Sequence, residues 1–255
     1  MHFCVMLHWK IKGSGKEVLV LLHGFCEDHR VWYSLSDELQ GFTLVQIDLP
    51  GFGESPVMEA DLSIWAKEVD AVFKAEGIEQ FHLIGHSMGG YVALAYAEAF
   101  PNQLKSLCLF HSTAYADTAE KVEARKKQVD FIQRNGVSPY VQQLIPGLFA
   151  SDANRTLLEQ QLAQAKEQSV VGLCAALEAM WARPDRTAVL LEAIYPVLLI
   201  SGSEDTILSL EAQSELAAMP KQCSWTVLKH SGHMGMLEEP KLAAQVIKEF
   251  LARLA

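Results

Sequence analysis

The sequence predicts an α/β fold: a mostly parallel central sheet flanked by helices and interrupted by an inserted all-helical segment. Short apolar runs of strand length, closed by turn residues, alternate with helical patterns up to residue 111 and again from 187 onward. Residues 112–186 carry helical patterns and no strand-like run. The chain is 255 residues long and 50% hydrophobic, enough for one large core with a smaller unit attached.

The elements follow in order. The first segment, through Lys12, reads as an edge strand or hairpin. "EVLVLLHG" (17–24) is a continuous apolar run ending at glycine, as in a buried strand. "FTLVQIDLPGFG" (42–53) repeats that form, with Asp48, Pro50 and two glycines forcing a turn. "VWYSLSDEL" between them has helical spacing. The stretch from Asp61 to Glu76 is an amphipathic helix, with Asp61 as its cap and Gly77 just past its end. "FHLIG" (81–85) is the next strand, and a helix runs from Met88 to about Phe100. "LKSLCLFH" (104–111), "PVLLISG" (196–202) and "CSWTVLK" (223–229) complete the sheet. Helices are expected from Ser209 to Ala218 and from Pro240.

Composition excludes several functions. The net charge of −10 and the lack of a basic stripe argue against nucleic acid. The insertion is balanced, with nine Lys/Arg against nine Asp/Glu, so the acidic excess lies in the core. Five scattered cysteines without a C-x-x-C pair suit reduced thiols in a cytoplasmic protein. The first residues lack the charged and apolar regions of a signal peptide, and no apolar run is long enough to span a bilayer. No Cys/His cluster suggests a metal, and no cofactor is expected.

In "LIGHSMGGYVAL" (83–94) a strand runs into a serine flanked by glycines, and a helix opens directly after it. That context presents the Ser87 hydroxyl on a sharp turn, with helix N-terminal amides beside it. A serine hydroxyl needs a base to become a nucleophile. His2, His8 and His82 fall in strands and read as structural, while His86 should point away from its neighbour. His111 ends a strand and remains a candidate. His233, in "KHSGHMGMLEEP" on the loop after the last strand, is best placed, with His230 its local rival. Asp205, just past the strand 196–202, would orient the base, with Glu204 the alternative. The chain order Ser87, Asp205, His233 is that of a nucleophile-elbow enzyme.

Taken together, "HGF" (23–25), "DLPGFGES" (48–55), "GHSMGG" (85–90), "GSEDT" (202–206) and "SGHMGMLEEP" (231–240) resemble the α/β-hydrolase superfamily, in its serine-nucleophile branch with a helical cap. The resemblance spans nearly the whole chain. It implies an α/β-hydrolase core of residues 1–111 and 187–255 and a lid of residues 112–186. It implies backbone N–H groups of Phe25 and Met88 as an oxyanion hole, and a turn at 48–55 with Ser55 bordering the pocket. In the lid, Val170, Leu173, Leu177 and Met180 share one helix face and read as packing. Tyr140, Phe149 and Trp181 would line the apolar part of a substrate. Met88, Met234 and Met236 would flank the triad, favouring an acyl or alkyl group over a highly charged one.

The activity implied is hydrolysis of a small-to-medium carboxylic ester, lactone or thioester through an acyl-enzyme on Ser87, without metal or cofactor. Carbon–carbon bond hydrolysis and cofactor-free perhydrolysis use the same three residues, and a receptor with vestigial turnover is a further alternative. Relatives that open epoxides or displace halide carry aspartate at the elbow, so Ser87 argues against both. The partner implied is a small ester-like molecule, with no membrane and no nucleic acid.

Overall fold

The computed structural model describes residues 6–254; the readings placed on His2, Cys4 and the start of the first strand lie outside them. Seven strands form one sheet: β1 (Trp9–Lys12), β2 (Val18–Leu22), β3 (Thr43–Ile47), β4 (Phe81–His86), β5 (Leu104–Phe110), β6 (Val197–Gly202) and β7 (Cys223–Leu228). Their spatial order is β1-β3-β2-β4-β5-β6-β7. Only β1 runs antiparallel, against β3; every other pairing is parallel. All residues of β4 and of β6 are buried, which requires cover on both faces of the sheet.

The cover comes from helices in the gaps between strands. These are α1 (Tyr33–Glu38), α2 (Leu62–Glu76), α3 (Met88–Ala99), then α4 (Ala119–Asn135), α5 (Val137–Leu144), α6 (Arg155–Lys166) and α7 (Val170–Ala182). They continue as α8 (Thr187–Leu191), α9 (Leu210–Ala217), α10 (Gly235–Glu238) and α11 (Pro240–Ala252). In one group α2 packs on α3, and in another α1 packs on α10 and α11. Between β5 and β6 the chain leaves the sheet and builds α4 to α7, with α4 packed along α7. Leu173, Leu177 and Met180 of α7 are buried there and Val170 is half-buried. The short α10 was hidden in sequence because "GMLE" spans a single turn and shows no periodicity. Among the described residues no helix is long and apolar enough to cross a membrane.

Local chemistry accounts for the helix ends. The Asp61 carboxylate accepts the Ser63 N–H at 2.7 Å, which satisfies one of the free amides of the first turn of α2. Gly77 ends the helix at φ +65°, a left-handed conformation open to glycine. Asp61→Ala should therefore lower stability by about 1 kcal/mol. Urea unfolding followed by far-ultraviolet circular dichroism measures this, and an unchanged midpoint would contradict the capping role.

Candidate active site

Ser87, His111, Asp205 and His233 each lie beyond the carboxyl end of a strand, and strand pairing brings those ends together. Leu22 pairs with Gly85, His86 with Phe110, and Phe110 with Ile200. The loops holding Phe25, Ser87, His111 and Asp205 thus leave from neighbouring strand ends, and that of His233 follows β7 next to β6.

Ser87 links β4 to α3 at φ +50°, ψ −115°. Its N–H donates to the Phe110 carbonyl at 3.0 Å, and the Ser112 hydroxyl donates to the Ser87 carbonyl at 2.7 Å. The flanking glycines are required by contact. A Cβ on Gly89 would lie 2.2 Å from the Leu22 carbonyl oxygen, and one on Gly85 would lie 2.6 Å from Gly90 Cα. Backbone packs on backbone here, and that contact drives the chain through the turn. Outside glycine, the described residues with left-handed φ are Cys26 (+62°), Ser87 (+50°) and His111 (+46°). All three follow adjacent strands around one site, where such strain, about 1–3 kcal/mol each, tends to collect.

Asp205 is held by four donors. The N–H groups of Ile207 and Leu208 bond Oδ1 at 2.8 and 3.1 Å, while His233 Nδ1 and His111 Nδ1 reach Oδ2 at 2.8 and 3.2 Å. Burial alone would raise the Asp205 carboxyl, but the bonds from the two histidines outweigh it and hold the group well below the usual carboxylate range. The His233 backbone is fixed on both sides, its N–H donating to Leu148 O at 2.6 Å and its carbonyl accepting His86 Nε2–H at 2.9 Å. His233 and Ser87 line the same cavity, and neither His230 nor Glu204 lines it. Glu204 instead accepts from Ser151, and His230 is exposed.

Behind the "HGF" loop lies a buried network that sequence reading missed. The Glu27 carboxylate accepts the Gly24 N–H at 2.7 Å and faces His86 Nδ1 at 3.0 Å. Burial would raise Glu27, but the charge and bond of His86 together with the Gly24 N–H lower it. His23 donates from Nδ1 to Gly24 O and accepts the Leu49 N–H at Nε2. Nothing in "HGFCED" separates a buried acid from an ordinary loop acid. His82, as expected, is structural, bonded to Ser106 and Glu17.

The cavity holds about 350 Å³, within the range of small-molecule sites. Phe25, Tyr91, Tyr140, Leu144, Leu148 and Met180 give it apolar walls, and Asp117, Lys121 and Arg125 add a charged wall from the insertion. Tyr140 is among its lining residues, whereas Phe149, Trp181, Met234 and Ser55 are not. Phe149 is buried in the core, beside Ala150, whose N–H bonds Glu238. Trp181 lies one residue past Met180, so helical geometry turns it about 100° away from the cavity. Met234 is fully buried at the start of α10, as are Met88 and Met236 in the core, so none of these three lines the cavity, whose methionine is Met180. Ser55 donates to Asp48 O and accepts the His8 N–H.

Two groups of histidine and carboxylate atoms among the described residues are close enough to share an ion: His111–Asp205–His233 and His8–His29–Asp48. In both, ring nitrogens already sit at hydrogen-bond distance from the carboxylate. Asp48 takes His29 Nδ1 and the His29 N–H on Oδ1, and His8 Nδ1 and the Glu54 N–H on Oδ2. The donors fill its acceptor positions, so this pattern is that of a structural staple.

Acid should weaken the fold. Burial holds the His111 imidazole down to about 4 against an ordinary value near 6.5. Between these values the unfolded chain binds a proton that the folded one refuses, so stability falls as pH drops from about 6.5 to 4. The depressed Asp205 and Asp48 carboxylates add stability above about 4, which is lost as pH falls further. Calorimetric midpoints should therefore decline steadily below pH 6.5; a constant midpoint from pH 7 to 4.5 would contradict this.

Known proteins resemble this chain over most of its length. Residues 19–246 match the model of the alpha/beta hydrolase family. A solved thermophilic esterase from Thermogutta terrifontis, described with malate bound, is similar with a TM-score of 0.93 and 29% identity, covering 97% of this chain and 93% of its own. A 2-hydroxy-6-oxononadienedioate/2-hydroxy-6-oxononatrienedioate hydrolase of Paraburkholderia phymatum is 26% identical, covering 97% of this chain and 91% of its own. Lipase 3 of a Moraxella species is 25% identical over 92% of this chain and 77% of its own. With a family match across nine-tenths of its length, the chain belongs to the α/β-hydrolase family and is a hydrolase.

Proposed function

We propose that the protein is a serine hydrolase that cleaves a small-to-medium carboxylic ester, or a lactone or thioester, through an acyl-enzyme on Ser87. The observation that carries this reading is the His233–Asp205 pair, bonded at 2.8 Å, opening with Ser87 onto one cavity. Because Asp205 engages Nδ1, the proton of neutral His233 resides there and Nε2 keeps its lone pair. Nε2 takes the proton from Ser87 Oγ as the oxygen attacks the substrate carbonyl. His233 then returns that proton to the leaving alcohol, and water attacks the acyl-enzyme by the reverse path.

The oxyanion would rest between the N–H groups of Phe25 and Met88. Met88 opens α3, so its N–H has no acceptor within the helix. The Gly24 N–H is already taken by Glu27, which supports the next amide, that of Phe25, as the free donor in this loop. Each such donor contributes about 3 kcal/mol to the transition state. The insertion of residues 112–186 serves in this reading as the cap, supplying Tyr140, Leu144 and Met180 as the apolar wall for the acyl or alkyl part. Free, mostly buried Cys26, Cys108, Cys174 and Cys223 suit work in a reducing cytoplasm.

Lys121 and Arg125 favour a second, narrower reading: an anionic substituent on the substrate, whether the scissile bond is an ester or carbon–carbon bond. Asp117 pairs with both Arg125 and Arg183, so this wall keeps an excess of positive charge.

Ser87→Ala should leave the circular dichroism unchanged and cut nitrophenyl-ester turnover by about 10³-fold or more. A folded variant that keeps most of its activity would overturn the assignment. Lys121→Ala should raise KM for a carboxylate-bearing ester by about threefold to tenfold while leaving a neutral ester of equal length unaffected. Equal effects on both esters would remove the anionic reading.

A further inference from the structure

His111 was left open by sequence, and the mechanism above does not use it. It is fully buried at the end of β5, in a left-handed conformation with φ +46°. Its N–H donates to Ile200 O at 2.8 Å, tying the turn to β6, the strand that leads to Asp205. Its Nδ1 lies 3.2 Å from Asp205 Oδ2, the oxygen that also receives His233 Nδ1. On the far side of the ring, Nε2 has no partner. That edge is closed by main chain: a Cβ on Gly235 would lie 2.6 Å from Nε2, and one on Gly202 would lie 3.0 Å from Cε1.

We propose that His111 is a positioning residue for the Ser87–His233–Asp205 machinery. Its Nδ1–H holds the Asp205 carboxylate and draws off part of the electron density on Oδ2, which limits how strongly Asp205 favours the His233 imidazolium. The inference rests on the serine-hydrolase reading of the site.

The ring's protonation follows from its surroundings. Burial disfavours the charged imidazole, so His111 is neutral over the working range of an enzyme near neutrality. A neutral imidazole facing a carboxylate places its single proton on that side, and the orphaned Nε2 remains a bare lone pair. The titratable groups around it are Asp205, His233 with ring centroids 5.6 Å apart, and His86 at 6.1 Å. His233 itself faces Asp205, His111 and His86, the last paired with Glu27. Without the His111 donor, the Oδ2 charge would serve His233 alone. Its imidazolium would then form at higher pH, and the carboxylate would lose one of its four anchors.

Three variants test the donor, read at the acid limb because asparagine also suits the left-handed backbone better than leucine or phenylalanine. Asparagine places an N–H donor close to the position of histidine Nδ1, whereas leucine and phenylalanine fill the space without a donor. His111→Leu and His111→Phe should lower kcat for a nitrophenyl ester about tenfold or more with little change in KM, and move the acid limb of kcat/KM to higher pH. His111→Asn should recover kcat to within a few-fold and return the limb toward wild type. Rescue by Leu or Phe but not Asn would overturn the inference, as would a Leu variant with wild-type kcat and acid limb. Nitrogen-15 NMR of the wild-type imidazoles gives a test independent of variant folding. A neutral Nδ1–H form of His111 between pH 5 and 8 is expected, and an Nε2–H form would refute the proposal. Failure of the underlying reading looks different: ester turnover would survive Ser87→Ala.

Discussion

A main-chain contact without side chains governs this molecule. The start of α3 meets the ends of β2 and β4 so closely that Gly85 and Gly89 have no room for a Cβ. Because the helix is pressed against the sheet there, the chain can pass from β4 to α3 only through the strained conformation of Ser87. The same packing sets the neighbouring β2 loop beside the serine, since Leu22 and Gly85 are register partners. Strain of this kind persists only where the surroundings over-determine it. Here the surroundings are parallel strands whose carboxyl ends present Cys26, Ser87 and His111 side by side.

The helical insertion is tied closely to the loops that carry Asp205 and His233. The Leu148 carbonyl accepts the His233 N–H, Thr206 donates to the Gly147 carbonyl, and Ser151 bonds Glu204 beside Asp205. One carboxylate, that of Glu238, receives N–H groups from Ala150, Gly232 and Met234, spanning insertion and core. Gly232 is pressed against residues 148–150, where a Cβ would meet backbone atoms at 2.7 Å. The loops that carry Asp205 and His233 are therefore fixed partly by the segment that also walls the cavity. A shift of that segment would reach His233 through its own backbone.

Three acids around the strand ends, Glu27, Asp48 and Asp205, are stabilised by a repeated device: histidine nitrogens combined with backbone amides. Glu27 meets His86 and the Gly24 N–H; Asp48 meets His8, His29 and two amides; Asp205 meets His111, His233 and two amides. The desolvation cost of a carboxylate is high, and several directed donors together offset it. Each network ties a loop to a sheet end, so the acidic groups act as joints.

Sequence by itself determined the alternation of strands and helices, the helical stretch between β5 and β6, and the strand–turn–helix setting of Ser87. Apolar runs, caps such as Asp61 and Ser209, and breakers such as Gly77 act over a few residues, and so they can be read locally. What only the tertiary structure decided is which polar groups share a buried space. Asp205 Oδ2 meets His111 across 94 positions, and Glu27 reaches His86 across 59. Periodicity carries no trace of such pairs. The same holds for the wall of the cavity: Met180 faces inward and Trp181 does not, although both lie on α7, because the packing of α7 on α4 sets the helix rotation. Local propensity chooses the elements, whereas convergence of distant strand ends and the rotation of packed helices choose the neighbours.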